Sequence, residues 1–481
     1  MKSNVVVLAV LITTLMTVNT IMSTRNLTVA AATSPFQFIT GTDYYAPSDT
    51  TMPQKGKTFT DPNFHTSMVR ITDKSDGYSN DGIENEYATV NSENSDGTKL
   101  ILRSNDAEYY LYNSATFQMQ QHLTNIEGGV EPEPRWDPSN PNIFYYVYGT
   151  ELRSYNIANN ASTTVHDFKK EFPSAAYVTT KVKGDASLDR RYWSFVVEDS
   201  SYTLISVIVF DKTLNSIVGQ RSSFPDSLNW VSMDMSGKHC VVGYDTHVVQ
   251  VFSRDLGISI YLPEGANGHM DLALASDGTD VMVYQNTATD WIAIAYLDSG
   301  VETRLVKIPF NVTEDIGLHF SGNCADTPGW ALISTYGSKN PPTDETHSWM
   351  DTQLFMVQLQ SNPTIWRIAH THAYTSLDYS GEKNYFAESF ASINMKGTKI
   401  YFGSNWGNFT SDYTDTYIVT LSQGWLTSIP LTNIPEFPSL LVTLTFALAT
   451  LLAATIFSRK HLIKKNVFFH LVKDIYSLGL I

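Results

Sequence analysis

The sequence predicts an all-β chain, a seven-bladed β-propeller. Three observations carry this: composition, a turn marker that recurs seven times, and the strand-like runs that follow each turn. Of 481 residues, 42% are apolar, 12% aromatic and only 17% charged, a balance that suits buried strands better than solvent-exposed helices. The turns fall at Ser95-Asp96-Gly97, Asp137 to Asn140, Leu188-Asp189-Arg190, Met235-Ser236-Gly237, Ser276-Asp277-Gly278, Asp326 to Gly329 and Met395-Lys396-Gly397. Successive turns are mostly about 40 to 50 residues apart, the interval widening before the last, which is the period of a four-stranded blade.

After each turn comes a run of β-branched and aromatic residues: 99–102, 143–147, 192–197, 239–242, 280–284, 330–333 and 399–402. A further strand follows, as at 109–112 and 354–357. The propeller is placed at 84–430, and 33–83 is read as a lead-in whose segment Met68 to Thr72 supplies a strand that closes the ring. Two stacked β-sandwiches are the competing architecture.

Both ends read as targeting segments. Residues 1–32 carry Lys2, the apolar run Val5 to Leu15 and the small residues Ala30 to Ala32, the pattern of a secretory signal. An uncleaved anchor is the alternative. A Pro-containing linker, 431–438, precedes Ser439 to Phe457, 19 uncharged residues that as a helix would reach about 28 Å and span a bilayer once. The tail, 458–481, opens with Arg459, Lys460, Lys464 and Lys465, a cationic cluster that places it on the cytoplasmic side. The propeller is therefore expected at the extracellular face of the plasma membrane, N-terminus out, held by one C-terminal helix.

The chain carries 32 basic and 48 acidic residues, net -16. Setting aside Lys2, Arg25, Arg459, Lys460, Lys464, Lys465 and Lys473 with Asp474 leaves the exported part near -22. Such a field argues against nucleic acid as a partner and disfavours long polyanions. Two cysteines, Cys240 and Cys324, are too few for a disulfide framework and read as small buried side chains. Sequons at Asn26, Asn160, Asn311 and Asn408 are chemically competent glycan acceptors.

In a propeller the innermost strand of each blade precedes its turn, so residues just before that strand face the central funnel. These are Glu86, Glu133, Arg135, Asp185, Asn229, Trp230, His269, Asp271, His319 and Glu388. Glu86, Glu133, Arg135, Asp185, Trp230 and Trp406 are the candidate ligand-binding residues. Arg135 and Glu388 are candidate catalytic groups, with Arg135 the one evident basic funnel residue. Histidine nitrogens with a carboxylate suit manganese, zinc or iron, and His269, Asp271, His319, His370 and His372 are the candidate ligands. Structural histidines bonding between blades are the alternative, favoured by Phe390 where a histidine would extend the cluster. No Gly-rich phosphate loop, Cys-x-x-Cys pair, His-Glu-x-x-His helix or Gly-x-Ser-x-Gly elbow is present.

The units "SDGTKLIL", "ASDGTDVMVY" and "MKGTKIYFGSNWG" resemble the repeats of TolB-like and WD-repeat-like propellers, and the ensemble over roughly 65–428 is more loosely similar to oligogalacturonate-lyase-type propellers. That resemblance implies a manganese site built mainly from histidines in the funnel. "IPEFPS" at Ile434 to Ser439, with the span and basic cluster, resembles the PEF-type sorting signal of archaeal surface proteins and implies a membrane-embedded sorting enzyme as partner; the residues beyond Lys465 depart from that pattern. Two functions are expected from these readings: a surface module that binds or scaffolds a glycan or surface protein, or a metal-dependent polysaccharide lyase or hydrolase.

Overall fold

The computed structural model describes residues 38–76, 82–126, 130–266, 269–311, 316–337, 347–375, 384–408, 413–421 and 425. Seven antiparallel sheets lie within one compact unit, Pro35–Gln423. The signal segment, linker, span and tail lie outside the described residues. Among the described residues no helix is long and apolar enough to cross a membrane.

Six sheets are four-stranded and run inside to outside in chain order. They are blades 1 to 6, spanning 83–122, 135–167, 177–221, 228–261, 270–307 and 317–370. The second strands cover the runs expected from sequence, each extending up to three residues further. In four of the blades the turn before that strand is set by one polar side chain. Asn94 Oδ1 accepts from the Thr98 and Lys99 amides at 2.9 Å, Asn394 Oδ1 from Thr398 and Lys399, Asp234 Oδ1 from His239, and Ser187 Oγ from Tyr192. Short polar side chains that bond backbone a few residues on favour a turn over a continued strand.

Blade 7 has five strands. Ser392–Ile393, Lys399–Ser404 and Asp415–Thr420 are completed by Ser67–Arg70 and Thr58–Thr60 from the N-terminal side. The segment expected as a lead-in therefore closes the ring. Arg70 reaches Asp415 at 2.6 Å beneath that seam, where Thr72 and Tyr413 also donate to the Asp415 carboxylate. Residues 38–66 strap the outer strand of blade 6 (Ile365–His370): Ile39 bridges Arg367, and Thr66 Oγ1 donates to the Ile368 carbonyl.

The core lies between blades. In the second strand of blade 5 (Asp280–Asn286), Val281 and Val283 pack with Ile333, Phe355 and Val357 of blade 6, while Met282 and Tyr284 pack with Val241 and Val251 of blade 4. Side chains alternate along a strand, and here both faces meet another sheet, so the strand is apolar from Val281 to Tyr284. Cys240 and Cys324 are free and buried, burial pushing both thiols up to about 12.

A charged pair adds to the seam between blades 4 and 5. His239 bonds Asp234 through Nδ1 at 2.6 Å and Asp298 through Nε2 at 3.1 Å. Burial opposes the charge on His239, but its carboxylate partners raise its pKa above the ordinary value. A raised folded pKa gives stability that is full below about pH 6.5, the unfolded value, and lost as pH rises through the folded one. The wild type should lose melting temperature across that window relative to His239→Gln; equal slopes would show that the pair adds nothing.

Candidate functional site

The axial hole is plugged from two sides, because the inner strands of blades 1 and 3 are interrupted. Residues 85–91 leave blade 1 after Ile83–Glu84 and cross the axis: Thr89 Oγ1 donates to the Lys183 carbonyl, Asn85 Nδ2 to the Phe390 carbonyl, and Ser392 Oγ to the Val90 carbonyl. Residues 180–186 follow Tyr177–Thr179 of blade 3 and meet that segment, the Lys183 carbonyl accepting from Thr89. The plug consumes several residues expected to bind a ligand. Arg135 spends its donors on Glu86 at 3.1 Å and on the Pro134, Val182 and Gly184 carbonyls. Glu133 accepts from the Thr179 and Thr180 hydroxyls and the Thr180 and Val182 amides. Both are 3% exposed, with these bonds made inside the protein.

Two tryptophans expected at a ligand are also packed inside the protein. Trp230 is buried against Gly243, where an added Cβ would fall 2.0 Å from the indole nitrogen. Trp406 stacks on His372 and Tyr417 and donates to the Thr50 carbonyl. His370 and His372 belong with it, at the end of the outer strand of blade 6 rather than in the funnel. His370 bonds Asp61 through its amide and Nδ1 and the Tyr45 carbonyl through Nε2. Burial opposes ionisation of Asp61, yet the bonds from His370 bring its pKa below the usual carboxylate value.

The structure brings together His269, His319 and Glu388. His269 immediately precedes the inner strand of blade 5 (Met270–Leu274), His319 lies in that of blade 6 (Gly317–Ser321), and Glu388 lies just before that of blade 7. The two Nδ1 atoms are 3.1 Å apart, and His319 Nε2 meets Glu388 Oε2 at 3.0 Å. A carboxylate at Nε2 makes that nitrogen the donor, which leaves a lone pair on His319 Nδ1 pointing at His269. Tyr336 stacks on His319 at 5.1 Å, with Phe390 and Tyr87 on its other sides. The stack depends on Gly317, which pairs with Tyr336 across the sheet and whose absent side chain leaves room for the phenol ring.

Burial holds both imidazoles neutral, their pKa values brought down to about 3; the neighbouring His319 lowers His269 further, and the Lys183 charge presses on both. Lys183 is the funnel cation that the sequence reading missed. Its Nζ lies 3.3 Å from Asn229 Oδ1 and 5.9 Å from the Tyr87 ring, and burial lowers its pKa. It stands two residues before Asp185, already placed in the funnel, and that spacing was the available signal. Lys183, Asp185 and Asp271 also line a small cavity with Ser232, Asn91 and Asn323. Asp271 accepts from the Gly322 and Leu272 amides, and burial raises its pKa well above the usual range.

For an ion, the histidine pair fits in part. Two ligands bonded to one cation at about 2.1 Å stand about 3.0 to 3.4 Å apart in octahedral or tetrahedral geometry, which includes the observed separation. A carboxylate behind a ligating histidine is the usual outer partner of such a site. Among the described residues no group of three His, Cys, Asp or Glu side chains is arranged to hold a metal.

No protein-family model matches the chain, and no curated protein matches it. Solved structures do. An oligogalacturonate lyase in complex with manganese is similar at TM-score 0.55 and 14% identity, over 81% of this chain and 99% of that one. An oligogalacturonate lyase from Vibrio parahaemolyticus is similar at TM-score 0.53 and 13% identity, over 77% and 97%. The likeness is one of fold.

Proposed function

We propose that the funnel mouth is a metal-dependent carbohydrate site of the polysaccharide lyase or hydrolase kind, with His269 and His319 as the ion's protein ligands. The observation that carries this reading is the pair of neutral imidazoles with Nδ1 atoms 3.1 Å apart and Glu388 behind one of them. The fold likeness to oligogalacturonate lyases supports it weakly. A bound divalent ion would polarise a sugar carboxylate or carbonyl oxygen. Around it, Glu388 fixes the tautomer of His319, Tyr336 and Phe390 exclude water from its ring, and Lys183 offers a positive charge to an anionic group. The acidity of the whole chain favours short fragments over long polyanions. A pure binding or scaffolding role for a glycan or surface protein is less well supported, since Trp230, Trp406 and Arg135 are engaged inside the protein.

In this reading the site faces the cell exterior, carried by the 439–457 span; the support is the sequence pattern alone. A TolB-like lineage and a PEF-type sorting signal belong to the same proposal.

Calorimetric titration with Mn²⁺ is the test, with oligogalacturonate as the activity probe and ultraviolet absorbance of an unsaturated product or reducing-end release as the readout. One ion per chain is expected, with His269→Ala and His319→Ala each weakening binding by more than about tenfold. Because both imidazoles stay neutral down to about 3, affinity should hold from pH 7 to pH 5, where an ordinary histidine site loses it to protons. A folded protein that takes up neither Mn²⁺ nor Zn²⁺ would end this reading.

A further inference from the structure

Residues 180–186, which carry Lys183, are entered through two successive left-handed positions, Lys181 at φ 62° and Val182 at φ 73°. For a β-branched residue that conformation is strained, and such strain persists only where the surroundings over-determine it. Here two charged side chains of blade 2 do so. Glu133 Oε1 accepts from the Thr179 hydroxyl at 2.5 Å and the Val182 amide at 3.0 Å, and its Oε2 from the amide and hydroxyl of Thr180. Arg135 donates to the Val182 carbonyl at 3.0 Å and the Gly184 carbonyl at 3.1 Å. The backbone is thus held on both sides of Lys183, whose own carbonyl accepts from Thr89. Gly184 completes the clamp: an added Cβ there would fall 1.8 Å from the Val231 carbonyl oxygen.

The clamp fixes the backbone and leaves the ammonium group without a counter-ion. Lys181 pairs with Glu198. Lys183 makes no ion pair among the described residues. Its Nζ meets the neutral amide oxygen of Asn229, which stands between it and Asp245 through a 3.1 Å bond. The Tyr87 ring, 5.9 Å from Nζ, packs edge-on against His319 at 5.4 Å, so the lysine stands beside the histidine pair. A partly buried cation is costly to hold unpaired, and backbone strain costs stability as well. A loop fixed so firmly around such a cation calls for a negative group from outside the chain.

We infer that Glu133 and Arg135 are positioning residues, which hold Lys183 in the funnel as the contact for the carboxylate of an acidic sugar. They touch no ligand themselves. The inference rests on the role given to Lys183 above and does not require the ion.

Calorimetry on the intact protein with chelator present is the test, using galacturonate and galactose, which differ at C6 by a carboxylate against a hydroxymethyl group. Galacturonate should bind with Kd on the order of 1 mM and galactose about tenfold or more weakly. Lys183→Met should abolish that preference. Glu133→Gln should reduce it, and Val182→Gly provides a variant that does not threaten the fold. Glycine relieves the left-handed strain, so the melting temperature should stay level or rise while galacturonate affinity falls about tenfold. A clamp that served stability alone would leave the preference for the charged sugar untouched in Val182→Gly. That result, with Lys183→Met still abolishing the preference, would overturn the positioning role and leave Lys183 as the contact. Equal binding of the two sugars by the wild type would overturn both, whatever the outcome of the Mn²⁺ titration.

Discussion

Replacing Arg367 with leucine should cost the fold about 3 kcal/mol or more, the effect of leaving several buried acceptors unpaired at once. Arg367 is fully buried. It donates to the Trp349 carbonyl and Gln353 Oε1, and to the Gly41 and Asp43 carbonyls of the N-terminal strap. Neutral oxygens and the faces of Phe64, Trp349 and Tyr45 are its recorded surroundings. Burial lowers its pKa to about 10, still charged at neutral pH. Leucine would leave those carbonyls buried and unpaired, each at about 1–3 kcal/mol before relaxation. The strap runs directly into the ring-closing strand Ser67–Arg70, so its release exposes the seam. A lower urea midpoint with new proteolytic cuts in 38–66 is the expected result. A loss below about 1 kcal/mol would show that the strap is held by its apolar contacts alone.

The propeller was legible because its signals are local. A polar side chain at Asn94, Asp234 or Asn394 bonds the backbone four or five residues on, and apolar strands follow at once. The ring closure was legible too, since Met68 to Thr72 is an apolar-alternating run lacking a unit of its own. The plug was not. That residues 85–91 leave blade 1 to bond residue 183 of blade 3 and the inner end of blade 7 depends on contacts about 90 to 300 residues apart in the chain, and no local pattern encodes it. The internal partners of Arg135 and Glu133 were not legible for that reason.

His370 and His372 failed differently. The connection from blade 6 to blade 7 runs from Thr371 to Ala391, far longer than its counterparts, so residues near its start belong to the outer strand and only Glu388, near its end, reaches the funnel. The widened turn spacing was visible in sequence; which end of the connection faces inward was not. His269 and His319 were placed more simply, one next to the start of an inner strand and the other within one.

The second large effect is expected at Glu388, and it separates a site held for chemistry from one held for packing. Glu388→Ala removes the acceptor at His319 Nε2. In a merely structural cluster this should lower stability and leave nothing else to measure. If His319 is an ion ligand, its lone-pair nitrogen is Nδ1 only while Nε2 carries the proton, and losing the carboxylate frees the other tautomer. Affinity for Mn²⁺ should then fall about 10- to 100-fold, the usual consequence of deleting a partner behind a ligating histidine. Glu388→Gln retains an acceptor oxygen but no charge, so it should preserve the tautomer and lose less. That ordering, Glu388→Ala weaker than Glu388→Gln and both weaker than wild type, follows from tautomer control. Equal Mn²⁺ affinity in all three proteins would remove Glu388 from the site and leave His319 without the group that orients it.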